Sequence, residues 1–284
     1  MAGRNYERLD IYKFGEHLLL TEDLDPVYVA LKDLGLDDGQ LRRWLLAYWC
    51  FYSAGFASWA SSMTGEQYWS AMFTAAKNVD PAPTGGRWPR GHERRHFRGD
   101  AALKAVGALR ERYGQRPEAM VDYCAEGAPC FHTVMDRVRE HVLFGPWIAF
   151  KVADMTDRVI GEHVDFTEKA VFMFKDPYKS AILLWRQTCN LPENAKPIDD
   201  KAVVHQVAQH VEKHFASYNA PPFYDRPVNL QEVETILCKW KSHMNGHYPL
   251  FNDIRDIRDG LVPWADHSDT AASFLKCMPE EVAP

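Results

Sequence analysis

Nowhere in the 284 residues is there a Gly-x-x-x-x-Gly-Lys-[Ser/Thr] loop, a Gly-x-Gly-x-x-Gly fingerprint or a Gly-x-Ser-x-Gly elbow. Their absence argues against P-loop kinases, Rossmann oxidoreductases and α/β-hydrolases. The six cysteines (Cys50, Cys124, Cys130, Cys189, Cys238, Cys277) include no Cys-x-x-Cys pair. They read as reduced thiols of a cytoplasmic protein, without a zinc site or a disulfide framework. The opening MAGRNYERLDIYKFGEH has no apolar core of a secretory signal, and polar residues interrupt every apolar stretch, so no membrane partner is expected. An excess of positive charge is missing too: 33 Lys and Arg stand against 39 Asp and Glu, a net −6. An anionic partner must therefore meet a local patch rather than an overall basic surface. Internal repeats, low-complexity tracts and convincing alternating strands are also absent.

What remains is helical periodicity. Apolar residues make up 46% of the chain and nine tryptophans are among them, enough for a sizeable core. Residues 39–63 are apolar almost all round, which predicts a central buried helix whose Gly55 and small residues let neighbours approach. Further helices are expected over 66–78, 100–113, 117–125, 131–143, 147–160, 178–189, 201–217 and 230–243, the last capped by Asn229. From about 260 the tail is acidic and poorly patterned. The fold class is predominantly all-α, as one helical domain over 1–284 or two lobes with a boundary near 190–200.

Against this acidic background one segment stands out, RWPRGHERRHFRG at 87–99. Arg87, Arg90, Arg94, Arg95 and Arg98 fall within it beside two glycines and Pro89. Arginine offers a planar, permanently charged fork matched to phosphate oxygens, and glycine permits close backbone approach. The segment therefore reads as a grip for a phosphate or pyrophosphate group. By contrast His205, His210 and His214 in HQVAQHVEKH read as a helix face. Val211 stands where a zinc protease helix would carry its glutamate, and no metal site is expected.

The stretch VREHVLFGPWIAFKVADMTDRVIGEHVDF, residues 138–166, has a helix, a Gly-containing turn and a second helix, and it leads to Asp165. It resembles the hairpin of the helix-hairpin-helix DNA glycosylases, over 131–160. Gly145 matches the second hairpin glycine, Trp147 the position of a lysine nucleophile or a Trp, and Asp165 falls close to the catalytic Asp. Leu143 and Phe144 stand where the first hairpin glycine would be. Hairpin amides and a helix N-terminus hold a DNA phosphate through oriented N–H groups.

Three blocks together, RWPRGHERRHFRG, FGPWIAFKVADM (144–155) and NLQEVETILCKWKSHMNGHYP (229–249), resemble the phage amino acid:DNA transferases of thymine hypermodification. These are related to the α-glutamyl/putrescinyl-thymine pyrophosphorylases, on a glycosylase-like helical scaffold. The resemblance implies a phage enzyme working in the infected bacterial cytoplasm on double-stranded DNA that contains pyrophosphorylated 5-hydroxymethyluracil. A free amino acid, glycine or serine, displaces the pyrophosphate. Expected site residues are Asp165, Glu234 and Lys151 for catalysis, with Asp154 and His96 as further bases. The five arginines would hold pyrophosphate, with Lys151, Lys239 and Lys241 in reserve. Gly145 and Trp147 would contact DNA, and Trp88 and Trp147 would line a pocket for a flipped base. Trp49 and Tyr52 read as core. Glu234, Cys238 and Lys241 share one face of their helix, and a buried, inert Cys238 is the expected case. No cofactor is required, and Mg²⁺ is compatible with pyrophosphate departure. The alternatives are a glycosylase using Asp165 and water, and a non-catalytic DNA-binding module.

Overall fold

A computed structural model describes residues 4–127, 129–166 and 174–282. Among them are fourteen α-helices and no sheet, only two isolated β-bridges. In chain order the helices are α1 (Ile11–Leu20), α2 (Pro26–Leu34), α3 (Asp38–Phe51), α4 (Ala54–Ser61), α5 (Gly65–Lys77), α6 (Gly99–Tyr113) and α7 (Ala119–Ala125). They continue with α8 (Phe131–Arg139), α9 (Pro146–Met155), α10 (Lys175–Thr188), α11 (Asp200–Phe215), α12 (Leu230–Met244), α13 (Asn252–Leu261) and α14 (Asp269–Cys277). The all-α class is as the periodicity indicates.

The chain forms two compact units. One comprises the N-terminal stretch to Val29, Phe166–Ile254 and the last residues from Pro279; the other comprises Ala30–Asp165 and Arg255–Met278. Residues 190–200 thus lie inside the first unit, and the chain passes between units near Val29, Asp165, Ile254 and Met278.

In the first unit α1, α11 and α12 enclose Phe14, Leu18, Phe215, Ile236, Leu237 and Trp240. Asn229 caps α12 as its sequence suggests, and Glu232 closes the reciprocal half of the capping box. Glu232 is fully buried and also takes Arg226 at 3.0 Å. Lys239 has its three ammonium hydrogens directed at the Asp23 carbonyl (2.8 Å), the Leu24 carbonyl (2.5 Å) and Asp253 (2.7 Å).

The second unit is built on α3 and α4. The single helix expected over 39–63 is broken at Tyr52, which is left-handed (φ 53°), and Ser53 then caps α4 through the Phe56 amide. Gly55 is where α4 meets Trp264, since a Cβ there would lie 2.3 Å from the Trp264 ring. Trp88, Trp59, Phe56 and Trp264 pack as one aromatic cluster with ring centroids 5.7–6.3 Å apart. The tail from about 260, expected to be poorly patterned, is ordered: it buries Leu261, Trp264, Ala271 and Phe274, and Ser268 caps α14.

Candidate functional site

The site is assembled where the end of α3, the arginine segment and the turn before α9 meet, all within the second unit. The α3 C-terminus exposes carbonyls and the negative end of a helix dipole. The arginine segment supplies their partners. Gly91 N–H donates to the Phe51 carbonyl at 2.9 Å and Arg94 Nε to the Cys50 carbonyl at 3.1 Å. Gly91 lies so close to Tyr52 that a Cβ would fall 2.7 Å from the Tyr52 carbonyl oxygen. Arg94 Nη1 then reaches the Leu143 carbonyl at 2.9 Å. Two separate blocks of the sequence, 87–99 and 144–155, are thereby joined.

The five arginines divide into two kinds. Arg94 is 2% exposed, with Phe97 and Phe144 on its guanidinium at 4.7 and 5.3 Å. Burial lowers its pKa, and the buried Cys50 thiol beside it is pushed up to about 12 and is unreactive. Arg90 donates to the carbonyls of Phe97 (2.6 Å), Trp88 (2.9 Å) and Ala75 (2.5 Å). Burial, and then Arg98, brings its pKa down to about 10, so it stays charged at neutral pH. The expectation that all five arginines face a ligand is therefore corrected: Arg90 and Arg94 have their guanidinium groups folded inward onto backbone carbonyls. Arg87, Arg95 and Arg98 are exposed, and Arg95 donates to the His92 ring at 2.7 Å. His96, exposed on the same turn, has its pKa lowered by partial burial, Arg94 and Arg95, which leaves its ring neutral at pH 7.

Over 131–160 the chain forms α8, a turn over 140–145, α9 and a π-helical turn at Thr156–Ile160. Leu143 adopts φ 64°. A leucine takes the left-handed conformation that a glycine would adopt freely. Gly145 is exposed at the N-cap of α9 with Pro146 at the first helical position, and a Cβ on Gly145 would meet nothing within 4 Å. Because Pro146 has no N–H, the leading amides of α9 are those of Trp147 and Ile148. Trp147 is half-buried, edge-on to Tyr52 at 5.1 Å, and Tyr52 lies tilted against buried Tyr48 at 4.5 Å. The hydroxyl of Tyr48 is held protonated by burial and by its bond to Tyr52.

Other expected residues are placed as follows. Trp88 is a core residue, 5% exposed, with its indole N–H on the Asp80 carbonyl at 2.9 Å; it does not line a base pocket. Trp49 is core, as expected, with its indole N–H on Met155 Sδ. Tyr52 departs from the core reading, because the break in the helix turns it toward Trp147. Lys151 is buried beside Asp154 at 3.6 Å, and Asp154 is fully buried and also meets Arg158 at 3.4 Å. Asp165 is half-buried, and its backbone bridges the start of α8: Phe131 N–H donates to its carbonyl at 2.9 Å and its own N–H to Pro129 at 3.1 Å. The approach to Asp165 is tied down by Arg42, which takes Asp38, Asp122 (2.7 Å) and Glu162 (2.9 Å). Glu234 is buried on α12 of the first unit, where Lys241 pairs with Asp176. His210 and His214 lie against Tyr12, and no cluster of metal-binding side chains occurs among the described residues.

The family model described as Amino acid:DNA transferase matches residues 16–247, a span that includes all three sequence blocks. The chain belongs to the amino acid:DNA transferase family. A protein of Pseudomonas phage PaMx11 named Glycinyltransferase is 54% identical over 287 residues, covering 98% of each chain. A Putrescinyltransferase of Delftia phage PhiW-14 is 22% identical over 269 residues, 92% of this chain and 81% of that one. The molecule is thus a transferase that joins an amino acid to DNA. No helix among its described residues is long and apolar enough to cross a membrane. Exposed Arg87, Arg95 and Arg98, the Tyr52–Trp147 pair and the N-terminus of α9 all belong to the second unit.

Proposed function

We propose that this transferase carries glycine onto 5-(pyrophosphoryloxymethyl)uracil in double-stranded phage DNA, within the infected bacterial cell. The observation that carries the reading is the 54% identity, over 98% of both chains, to a protein named Glycinyltransferase. The glycine nitrogen forms a bond to the methylene carbon on C5, and the C–O bond to pyrophosphate breaks, its electron pair leaving with the oxygen. One amine proton passes to a base. Exposed Arg87, Arg95 and Arg98 meet the charge that gathers on the departing pyrophosphate, where fixed donors act most strongly. Amides at the start of α9 hold a neighbouring DNA phosphate, and Tyr52 with Trp147 offers an aromatic wall to the uracil ring.

A base for the amine proton is supplied by Asp165 on the resemblance to the glycosylases. His96, neutral at pH 7 and beside the exposed arginines, is the alternative on geometry. The chemistry requires no organic cofactor, and Mg²⁺ would assist by neutralising pyrophosphate.

The test is incubation of a duplex carrying the pyrophosphorylated base with each amino acid in turn, followed by mass spectrometry of the nucleosides. A glycine adduct with one pyrophosphate released per adduct is expected. An adduct with another amine corrects the donor, and an alkali-labile abasic site makes the enzyme a glycosylase instead.

A further inference from the structure

We infer that Arg94 is a positioning residue: by bridging the end of α3 to the turn at 140–145 it sets where Gly145 and Trp147 meet DNA. This rests on the proposed reading of the turn as a hold on DNA phosphate. The guanidinium fork spans two carbonyls from distant parts of the chain, Cys50 at 3.1 Å and Leu143 at 2.9 Å. Leu143 is the strained member of the turn, at φ 64°, and it stands two residues before the N-cap of α9. A shift of its carbonyl therefore moves Gly145 directly.

The surroundings of Arg94 leave it no path to act otherwise. It is 2% exposed, and Phe97 and Phe144 cover it. Its third nitrogen, Nη2, is buried and makes no hydrogen bond. Phe144 both covers the guanidinium and donates its N–H to the His141 carbonyl at 3.1 Å, so arginine and turn form one packed unit. A lysine at 94 offers a point charge in place of a fork and cannot bridge both carbonyls.

The experiment measures duplex binding by fluorescence anisotropy and pyrophosphate release at saturating DNA. Arg94→Lys is expected to weaken duplex binding by about tenfold or more, the loss for a hydrogen bond from a charged donor, while release at saturating DNA falls far less. Adding Leu143→Gly, which removes the cost of the left-handed turn, is expected to restore most of the binding. If Arg94→Lys alone fails to fold, the double variant carries the test, and recovery of fold and binding supports the inference. Wild-type binding by Arg94→Lys, a loss confined to pyrophosphate release, or no recovery in the double variant overturns it. Gly145→Asp tests the underlying reading separately. Its side chain enters open space and suits a helix N-cap, yet repels phosphate. Unchanged duplex binding by Gly145→Asp removes the role of the turn itself, whatever Arg94 does.

Discussion

Asp23 gives the sharpest physical prediction. Its carboxyl is fully buried; Oδ1 accepts the N–H groups of Asp253 (3.1 Å) and Ile254 (3.0 Å), and Oδ2 has no hydrogen-bond partner. Burial raises its pKa from 3.8 to about 7 against the opposing pull of Lys239, with Asp253 adding to the rise. The folded state therefore holds a proton that the unfolded chain has already lost between these two values, and stability falls as pH rises through that window. At about 1.4 kcal/mol per pKa unit, the raised pKa costs roughly 4 kcal/mol of stability above pH 7, where Asp23 is ionised in place, and about 1.5 kcal/mol at pH 5, where only the unfolded chain is ionised. Asp23→Asn keeps the acceptor for both amides and cannot ionise. Its stability relative to wild type should thus improve by about 2–3 kcal/mol between pH 5 and pH 8 and level off above. Urea unfolding followed by tryptophan fluorescence at several pH values reads this difference, and any constant packing cost of the amide cancels. A difference that stays flat, or that turns against the variant as pH rises, would show Asp23 ionised and well paired, and the reasoning would fail.

Three further outcomes bear on the transferase site. Arg95→Ala and Arg98→Ala should each lower pyrophosphate release at saturating glycine by about 10- to 100-fold, as for loss of a charge-assisted bond to a developing anion, with melting temperature unchanged. Equal melting and equal release would remove these arginines from the leaving group. Gly91→Ala should both destabilise the second unit and reduce transfer, because its Cβ would sit 2.7 Å from the Tyr52 carbonyl; a crystal structure with an unmoved loop would contradict this. Trp88→Phe loses the bond to Asp80 and should cost about 1 kcal/mol of stability, while transfer per folded molecule stays at the wild-type level. A selective loss of activity would return Trp88 to the base pocket.

Much of the fold is legible in the sequence because amphipathic periodicity and capping are local. Asn229 and Glu232 announce α12, and the absence of alternating strands announces the all-α class. The break in 39–63 is less legible. Tyrosine is an uncommon left-handed residue, and only the docking of Gly91 on Tyr52 shows why the helix stops there. The same holds at Leu143, where a leucine takes a conformation usually left to glycine and a remote arginine holds its carbonyl. The tail from about 260 is obscured by its acidity, since charge masks the few buried apolar positions, Leu261, Ala271 and Phe274. Asp23 carries no local sign at all, because its partners lie more than two hundred residues away.

The arginine segment illustrates why composition identifies a function better than it assigns roles. Five arginines within twelve positions make a loop whose charge density must itself be held against mutual repulsion. The fold meets the need from within the segment. Arg90 and Arg94 turn inward and satisfy backbone carbonyls, among them that of Cys50 at the negative end of α3, where a cation is favoured. Gly91 allows the close docking that makes those bonds reachable. Arg87, Arg95 and Arg98 remain exposed on the segment so anchored, and in the proposed reading that anchoring preorganises them for the departing pyrophosphate. A uniform cluster of solvated arginines would reorganise around the departing pyrophosphate and lose much of that advantage. On the proposed reading the inward pair and the outward three serve different ends, and mutational scans should separate them: stability and DNA placement for one, leaving-group chemistry for the other.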